Sequence, residues 1–281
     1  MKWEMRILRR AGLMLGLVSF ALMALPLAHA SDKDKDNEDL DSYKLRFDLY
    51  WFYSKPSGSF TSSGANGLGS FDLQRDIGFN SYSTFSGKID WKFTRKNHLY
   101  FVATDFSQSK NFTLNRTIVF QGQTFNVGAS AAGDLDARIL IPGYQYDIFR
   151  RRRWNLGVQV QLDIFDVTGS LSAVAQINNG IPQSAAFSSG RVRAPLPVAG
   201  PHLRVYPWSR LYVDANVLGM YFFGYGNFVS SSGTVGLKLT KNLALAGGYQ
   251  LGSRLNVNTR SNDIGLSLTQ KGAIAGLEVS F

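Results

Sequence analysis

The feature that most restricts what this chain can fold into is a rhythm of two. From Tyr43 to Tyr53 every second residue is apolar (Tyr43, Leu45, Phe47, Leu49, Trp51, Tyr53), and Ser42, Lys44, Arg46 and Asp48 fill positions between. Trp154, Leu156, Val158, Val160, Leu162 and Ile164 repeat it against Asn155, Gly157, Gln159, Gln161 and Asp163. Successive side chains of a strand point to opposite faces, whereas a helix repeats every ~3.6 residues, so these stretches are strands with one oily and one wet face. The same reading sets Phe85, Ile89, Trp91 and Phe93 against Lys88, Asp90 and Lys92, and Leu135, Ala137, Ile139 and Ile141 against Asp136 and Arg138. It also sets Leu211, Val213, Ala215 and Val217 against Tyr212, Asp214 and Asn216, and Val235, Leu237 and Leu239 against Thr234 and Lys238. Alternation alone does not say which face is turned outward.

Three features select a membrane barrel, apolar side out. Tight connections at Arg95-Lys96-Asn97, Arg150 to Arg153, Pro207-Trp208-Ser209 and Lys241-Asn242 alternate with long Gly-, Ser- and Asn-rich links around 54–82, 111–133 and 167–191, the short-turn, long-loop arrangement of outer-membrane barrels. Aromatic residues gather at strand ends, at Tyr50 to Tyr53, Phe149 with Trp154, Tyr206 with Trp208 and Tyr221 to Phe223, as interfacial girdles do. The sequence closes on the alternating stretch Ala275 to Phe281, which resembles the terminal strand that the barrel-insertion machinery recognises; Phe281 is the expected insertion signal.

The N-terminal region supplies an address. Lys2, Arg6, Arg9 and Arg10 precede an apolar run from Ala11 to Leu25 and the small-x-small sequence Ala28-His29-Ala30, the order of a cleaved secretory signal. The expected organisation is a signal peptide over 1–30, a charged periplasmic linker over 31–40 and one outer-membrane barrel over 41–281. The fold class is all-β, a transmembrane antiparallel up-and-down barrel. Ten strands are expected near 41–53, 83–94, 98–110, 134–149, 154–166, 192–206, 210–223, 230–240, 243–257 and 262–281; either of the loop segments 71–77 and 117–125 is read as an extra hairpin above the membrane or, giving twelve strands as the alternative, as two more barrel strands. The last strand changes face between Leu268 and Leu277, which a bulge at Gln270-Lys271-Gly272 would explain.

Ala194-Pro195-Leu196-Pro197-Val198-Ala199-Gly200, Arg204 to Leu211, and Leu237 to Leu243 leading into Gly247-Gly248-Tyr249 together resemble a group of uncharacterised outer-membrane barrels of proteobacteria. The resemblance covers most of the mature chain. Its motifs are scaffold motifs, implying a fold and a location but no catalytic residue.

Chemistry is sparsely provided. No cysteine is present, so neither a lipidated thiol nor a disulfide scaffold is expected. No metal or cofactor is expected, for no His pair at ligand spacing and no calcium-loop pattern occurs. Histidine is the side chain suited to proton transfer near neutral pH, and His98 and His202 both fall toward the turn end of their strands, where an interior histidine with a hydrogen-bond partner is the expected role. Lys and Arg number 30 against 20 Asp and Glu. Because the basic residues are scattered through strands of an exported chain, outer-membrane lipid and lipopolysaccharide are the expected counter-charges rather than nucleic acid, and Arg150 to Arg153 are expected to anchor a turn at the headgroups. The charged residues expected to face the lumen are Lys44, Arg46 and Asp48 on the first strand, Lys88, Asp90 and Lys92 on the second, Asp136 and Arg138 on the fourth, then Asp163, Arg204, Asp214, Lys238 and Glu278. A barrel this narrow has its interior filled by side chains. The expected role is therefore a non-enzymatic barrel acting through its long outer loops in interaction or envelope integrity. A narrow channel for small solutes or ions is the first alternative and a lipid A-modifying enzyme the second. Oligomeric state is not legible from these patterns.

Overall fold

The protein, a computed structural model, is described over residues 39–281 except 65–66, 77, 79–80, 116, 121–122, 126, 174–176, 179–180, 183–185, 223–225 and 259–263. The signal-peptide reading and nearly all of the linker lie outside the described residues. The strands are β1 (Leu45–Gly64), β2 (Gly67–Asp72), β3 (Tyr82–Lys92), β4 (Asn97–Thr113), β5 (Ile118–Phe120), β6 (Gln123–Phe125), β7 (Ser130–Arg151), β8 (Trp154–Ala173), β9 (Ile177–Asn178), β10 (Ile181–Pro182), β11 (Ala186–Val205), β12 (Leu211–Phe222), β13 (Gly226–Lys238), β14 (Leu243–Asn258) and β15 (Ile264–Ser280). Ten of them form a closed antiparallel barrel in the order β1-β3-β4-β7-β8-β11-β12-β13-β14-β15, sealed by β1 against β15. Ten strands, rather than twelve, make the wall. β2 lies against the upper part of β1, and β5–β6 and β9–β10 are small hairpins in the loops.

The strands are longer than the sequence estimate. β7 runs for 22 residues and β8 and β11 for 20 each, whereas a tilted strand crosses a bilayer in about 9–11. Much of what read as long loop around 111–133 and 167–191 is strand. The reason lies in the side chains. At the end carrying the short turns, polar residues point inward and apolar ones outward; toward the loop end the same strands keep their alternation and exchange its sign. Along β8, Gln159, Gln161 and Asp163 are buried in the lumen, and the next inward positions, Phe165, Val167 and Leu171, are buried and apolar. β11 does the same, from His202 and Arg204 to Val198, Leu196 and Val192. Outside, Trp91, Phe101, Val160, Val213 and Leu277 are between 38% and 52% exposed at the turn end, and Arg138, Arg191 and Arg193 take over toward the loops.

This reversal corrects the reading of the last strand. β15 pairs with β1 in unbroken register from Ile264 to Ser280, so no bulge interrupts Gln270 to Gly272. Leu268 is buried inside and Leu277 is exposed outside because the environment, not the register, changes between them. The irregularity in this region lies on β14, between Gln250 and Ser253.

The loop end is closed by an apolar core in which Leu73, Leu114, Leu135, Leu171 and Val167 are almost wholly buried. Leu73 comes from the segment after β2, and its amide donates to the Gly58 carbonyl at 2.9 Å. Gly58 has φ 145°, and a Cβ there would collide with the Ser267 carbonyl, so glycine lets β1 take this φ and stay paired with β15 through Leu268. Nearer the turn end, three inward tyrosines each lie over the glycine opposite: Tyr100 over Gly143, Tyr212 over Gly236 and Tyr50 over Gly276. Any side chain at those glycines would overlap the ring. The rings are thereby laid against the wall instead of across the bore.

Candidate functional site

The inward polar faces of β1, β3, β4, β7, β8, β11, β12 and β15 converge on a charged network that fills the turn end of the lumen. Arg204 is its hub. Its Nη2 donates to Glu278 Oε2 at 2.8 Å, Nη1 lies 3.5 Å from Asp214 Oδ2 and Nε 3.6 Å from Asp41 Oδ1, while the guanidinium sits 3.8 Å from the centre of the Tyr212 ring. Arg46 holds Asp48 at 3.2 Å and Asp90 at 3.3 Å. Tyr50 donates to the other oxygen of Glu278 at 2.9 Å. Buried charges persist only when paired and hydrogen-bonded; Glu278, Asp90 and Asp214 meet that requirement by taking more than one partner each, while Asp48 rests, among the described residues, on its ion pair with Arg46 alone.

Asp41 stands outside any strand, at the mouth. Lys92 donates to its carboxylate at 3.1 Å and to its carbonyl at 2.7 Å, Asn155 donates at 2.9 Å and Tyr206 at 2.9 Å. Burial alone would push the Asp41 carboxyl up, but the positive charge of Lys92, Arg204, Arg46 and Arg150 overcomes it and holds the group well below the usual carboxylate range. Around it the segment Asp39–Tyr43 folds across the opening. The Leu40 amide donates to the Arg152 carbonyl at 3.1 Å, and Lys238 donates to the Leu40 carbonyl. This stretch, expected at the junction of linker and barrel, is a stopper.

Both histidines are buried. His98 faces Asp90 through Nδ1 at 3.2 Å and Asp147 through Nε2 at 3.1 Å, and His202 faces Asp214 at 3.1 Å. Arg150 continues the chain, donating to Asp147 at 2.9 Å and to Asp39 at 2.5 Å. Its side chain is therefore part of the lumen rather than the headgroup anchor expected for it; Arg151, Arg152 and Arg153 are exposed. Above the charges come amides: Gln145 donates to Asp147, Gln159 to Gln145, and Tyr100 to Gln161 at 2.6 Å.

Of the residues expected in the lumen, Arg46, Asp48, Lys88, Asp90, Lys92, Asp163, Arg204, Asp214, Lys238 and Glu278 point inward. Three do not. Arg138 lies outside, its side chain 65% exposed and 3.6 Å from Asp105, and Asp136 shares that face, because β7 has already passed the reversal and its inward residues are Leu135 and Ala137. Lys44 is exposed; it precedes β1, where the chain turns across the mouth and sends Tyr43 inward beneath Arg46 and Lys92 instead. Sequence reading did not pick out Asp41 and Asp147, and it gave Arg150 to the headgroups instead of the lumen. Asp41 and Arg150 lie off the alternating stretches and show only by position in space, whereas Asp147 carries a signal in the alternation Tyr144-Gln145-Tyr146-Asp147-Ile148 of β7. Gln159 and Gln161 carried a signal in the polar face of β8.

Between network and apolar core lies a cavity of about 260 Å3. Arg46, Lys88, Gln161 and Asp163 form its floor, and Phe106, Ile139, Phe165 and Phe228 its ceiling. Among the described residues no three His, Cys, Asp or Glu side chains are grouped to hold a metal ion. The arrangement can hold charge in place and host a small amphipathic molecule or waters.

No protein-family model matches the chain, and no curated protein does. Among solved structures it is similar to the outer membrane protease OmpT of Escherichia coli, with 12% identity and a TM-score of 0.54 over 90% of this chain and 99% of that one. It is more loosely similar to the attachment invasion locus protein Ail of Yersinia pestis (9% identity, TM-score 0.35, 83% of this chain and 99% of that one). The toluene transporter TodX of Pseudomonas putida matches comparably (9% identity, TM-score 0.36, 85% and 90%). The first establishes the closed-barrel fold.

Proposed function

We propose that the chain spans the outer membrane as a non-enzymatic, non-conducting barrel, turn end in the periplasm, which holds its loop end above the surface for interaction or envelope integrity. The observation that carries this reading is the reversal of polarity along single strands. Apolar side chains outward suit lipid; charged side chains outward over an apolar interior suit water. The lumen is stopped below by the charged network and above by the apolar core, which supports a barrel that does not conduct. In this reading Phe281, whose ring packs edge-on against Phe47 at 6.2 Å, belongs to the strand offered to the insertion machinery.

The test is reconstitution of the purified chain in planar bilayers, where discrete conductance steps are expected to be absent. Their presence would overturn the reading in favour of a narrow channel, the alternative that the central cavity favours. In that alternative Asp39–Tyr43 must leave the mouth, and Asp41→Ala should raise the frequency of openings.

A further inference from the structure

Beyond the apolar band, the outer face carries its charges in two ways. On the β4–β11 flank they neutralise one another: Arg138 lies by Asp105, and Asp166 is clamped by Arg191 at 2.6 Å and Arg193 at 3.1 Å. Across the seam of the barrel they do not. Lys55 of β1 stands directly opposite Lys271 of β15, both exposed. Arg254 of β14, also exposed, is paired with Thr269, the outward position next above Lys271. No side-chain ion pair joins any of these three to a described carboxylate. Like charges facing each other across a ladder destabilise it, so this trio, within one outward step of a single height and without a carboxylate partner among the described residues, calls for an anion from outside the chain.

What lies beneath selects the anion. One step toward the lipid band, Tyr53 and Tyr249 flank Ala273 from either side, 44% and 47% exposed, with Leu251 63% exposed beside them. Aromatic side chains of this kind sit at the boundary between hydrocarbon and headgroup. A free phosphate would use the cations and leave this apolar floor bare, whereas a phosphorylated lipid uses both. From these residues we infer that the seam face of β14, β15 and β1 binds a phosphorylated lipid of the outer leaflet, lipid A, with its phosphate between Lys55, Lys271 and Arg254 and its acyl chains over Ala273. The inference rests on the membrane placement proposed above.

Native mass spectrometry of the full chain in lipid-free detergent tests it, with bisphosphorylated lipid A, its dephosphorylated form, phosphatidylglycerol and inorganic phosphate as separate probes. Retention of bisphosphorylated lipid A is expected to exceed that of each other probe, and to fall at least tenfold in Lys55→Gln/Lys271→Gln. Arg191→Gln/Arg193→Gln, on the self-neutralised flank, should retain it as the wild type does. Both variants should keep the folded mobility of the wild type on unheated gels. Equal retention by folded Lys55→Gln/Lys271→Gln, or equal retention of dephosphorylated lipid A, phosphatidylglycerol or phosphate, overturns the inference. Cell fractionation reports the membrane placement separately: lipid A binding lost from a chain found in the outer membrane sinks the site alone, and a chain found elsewhere sinks the placement.

Discussion

The turn half and the loop half of this barrel are made from the same strands and obey opposite rules. Around Gln159 and Arg204 the interior is polar and its charges gather into one network about Arg204 and Arg46; around Leu171 and Val192 the interior is apolar and the charges are outside. The backbone is continuous through the change, and among the described residues the alternation is not broken along β8 or β11. A strand therefore does not own an inside and an outside. On the membrane placement proposed above, the medium beyond the wall decides which parity is buried, and a single strand serves two media in succession.

The sharpest way to break the turn half is to remove its hub. Arg204→Ala would leave Asp41, Asp214 and Glu278 without their shared cation, and removing one member of a buried charge group costs about 3–5 kcal/mol. Denaturant unfolding of the refolded barrel should register that loss. A matched pair of lysines separates the halves next. Val160→Lys, at an outward position 51% exposed within the apolar band, should cost about 2–4 kcal/mol in lipid, while Asn111→Lys, outward and exposed near the loop end of β4, should stay within about 0.5 kcal/mol. Equal costs at the two positions would refute the boundary. The smallest effect concerns acid. Asp41 titrates below its unfolded value of about 3.9, so the unfolded chain binds the proton more readily and the Asp41 contribution is complete above pH ~4 and lost as pH falls further. Melting temperature measured from pH 7 down to 3 should decline more shallowly in Asp41→Asn than in the wild type.

How much of this was legible beforehand follows from the same contrast. Alternation, tight basic turns and aromatic strand ends suffice for a ten-stranded barrel, and inward charges such as Arg46, Asp90 and Glu278 can be assigned wherever the apolar parity faces lipid. Asp136 and Arg138 were misplaced because the apolar parity of β7 was assumed to face lipid throughout. The stopper was invisible for another reason: Asp41 lies before the first strand and acts only where Lys92, Asn155, Arg204 and Tyr206, far apart in sequence, meet. Likewise the tyrosines laid over Gly143, Gly236 and Gly276 depend on cross-strand register, which no single strand encodes.

The seam between β1 and β15 sets a timetable for assembly. Arg46 meets Ser280 and Ser62 meets Ile264, so the ring shuts only when its first and last strands meet, whereas every other pairing of the wall joins successive wall strands. Until then the sheet has two bare edges, each a template for a foreign strand, and Glu278 has yet to reach Arg204. Closure and completion of the buried charges are thus one event, and a partly delivered chain is held back by both an open hem and an unbalanced interior.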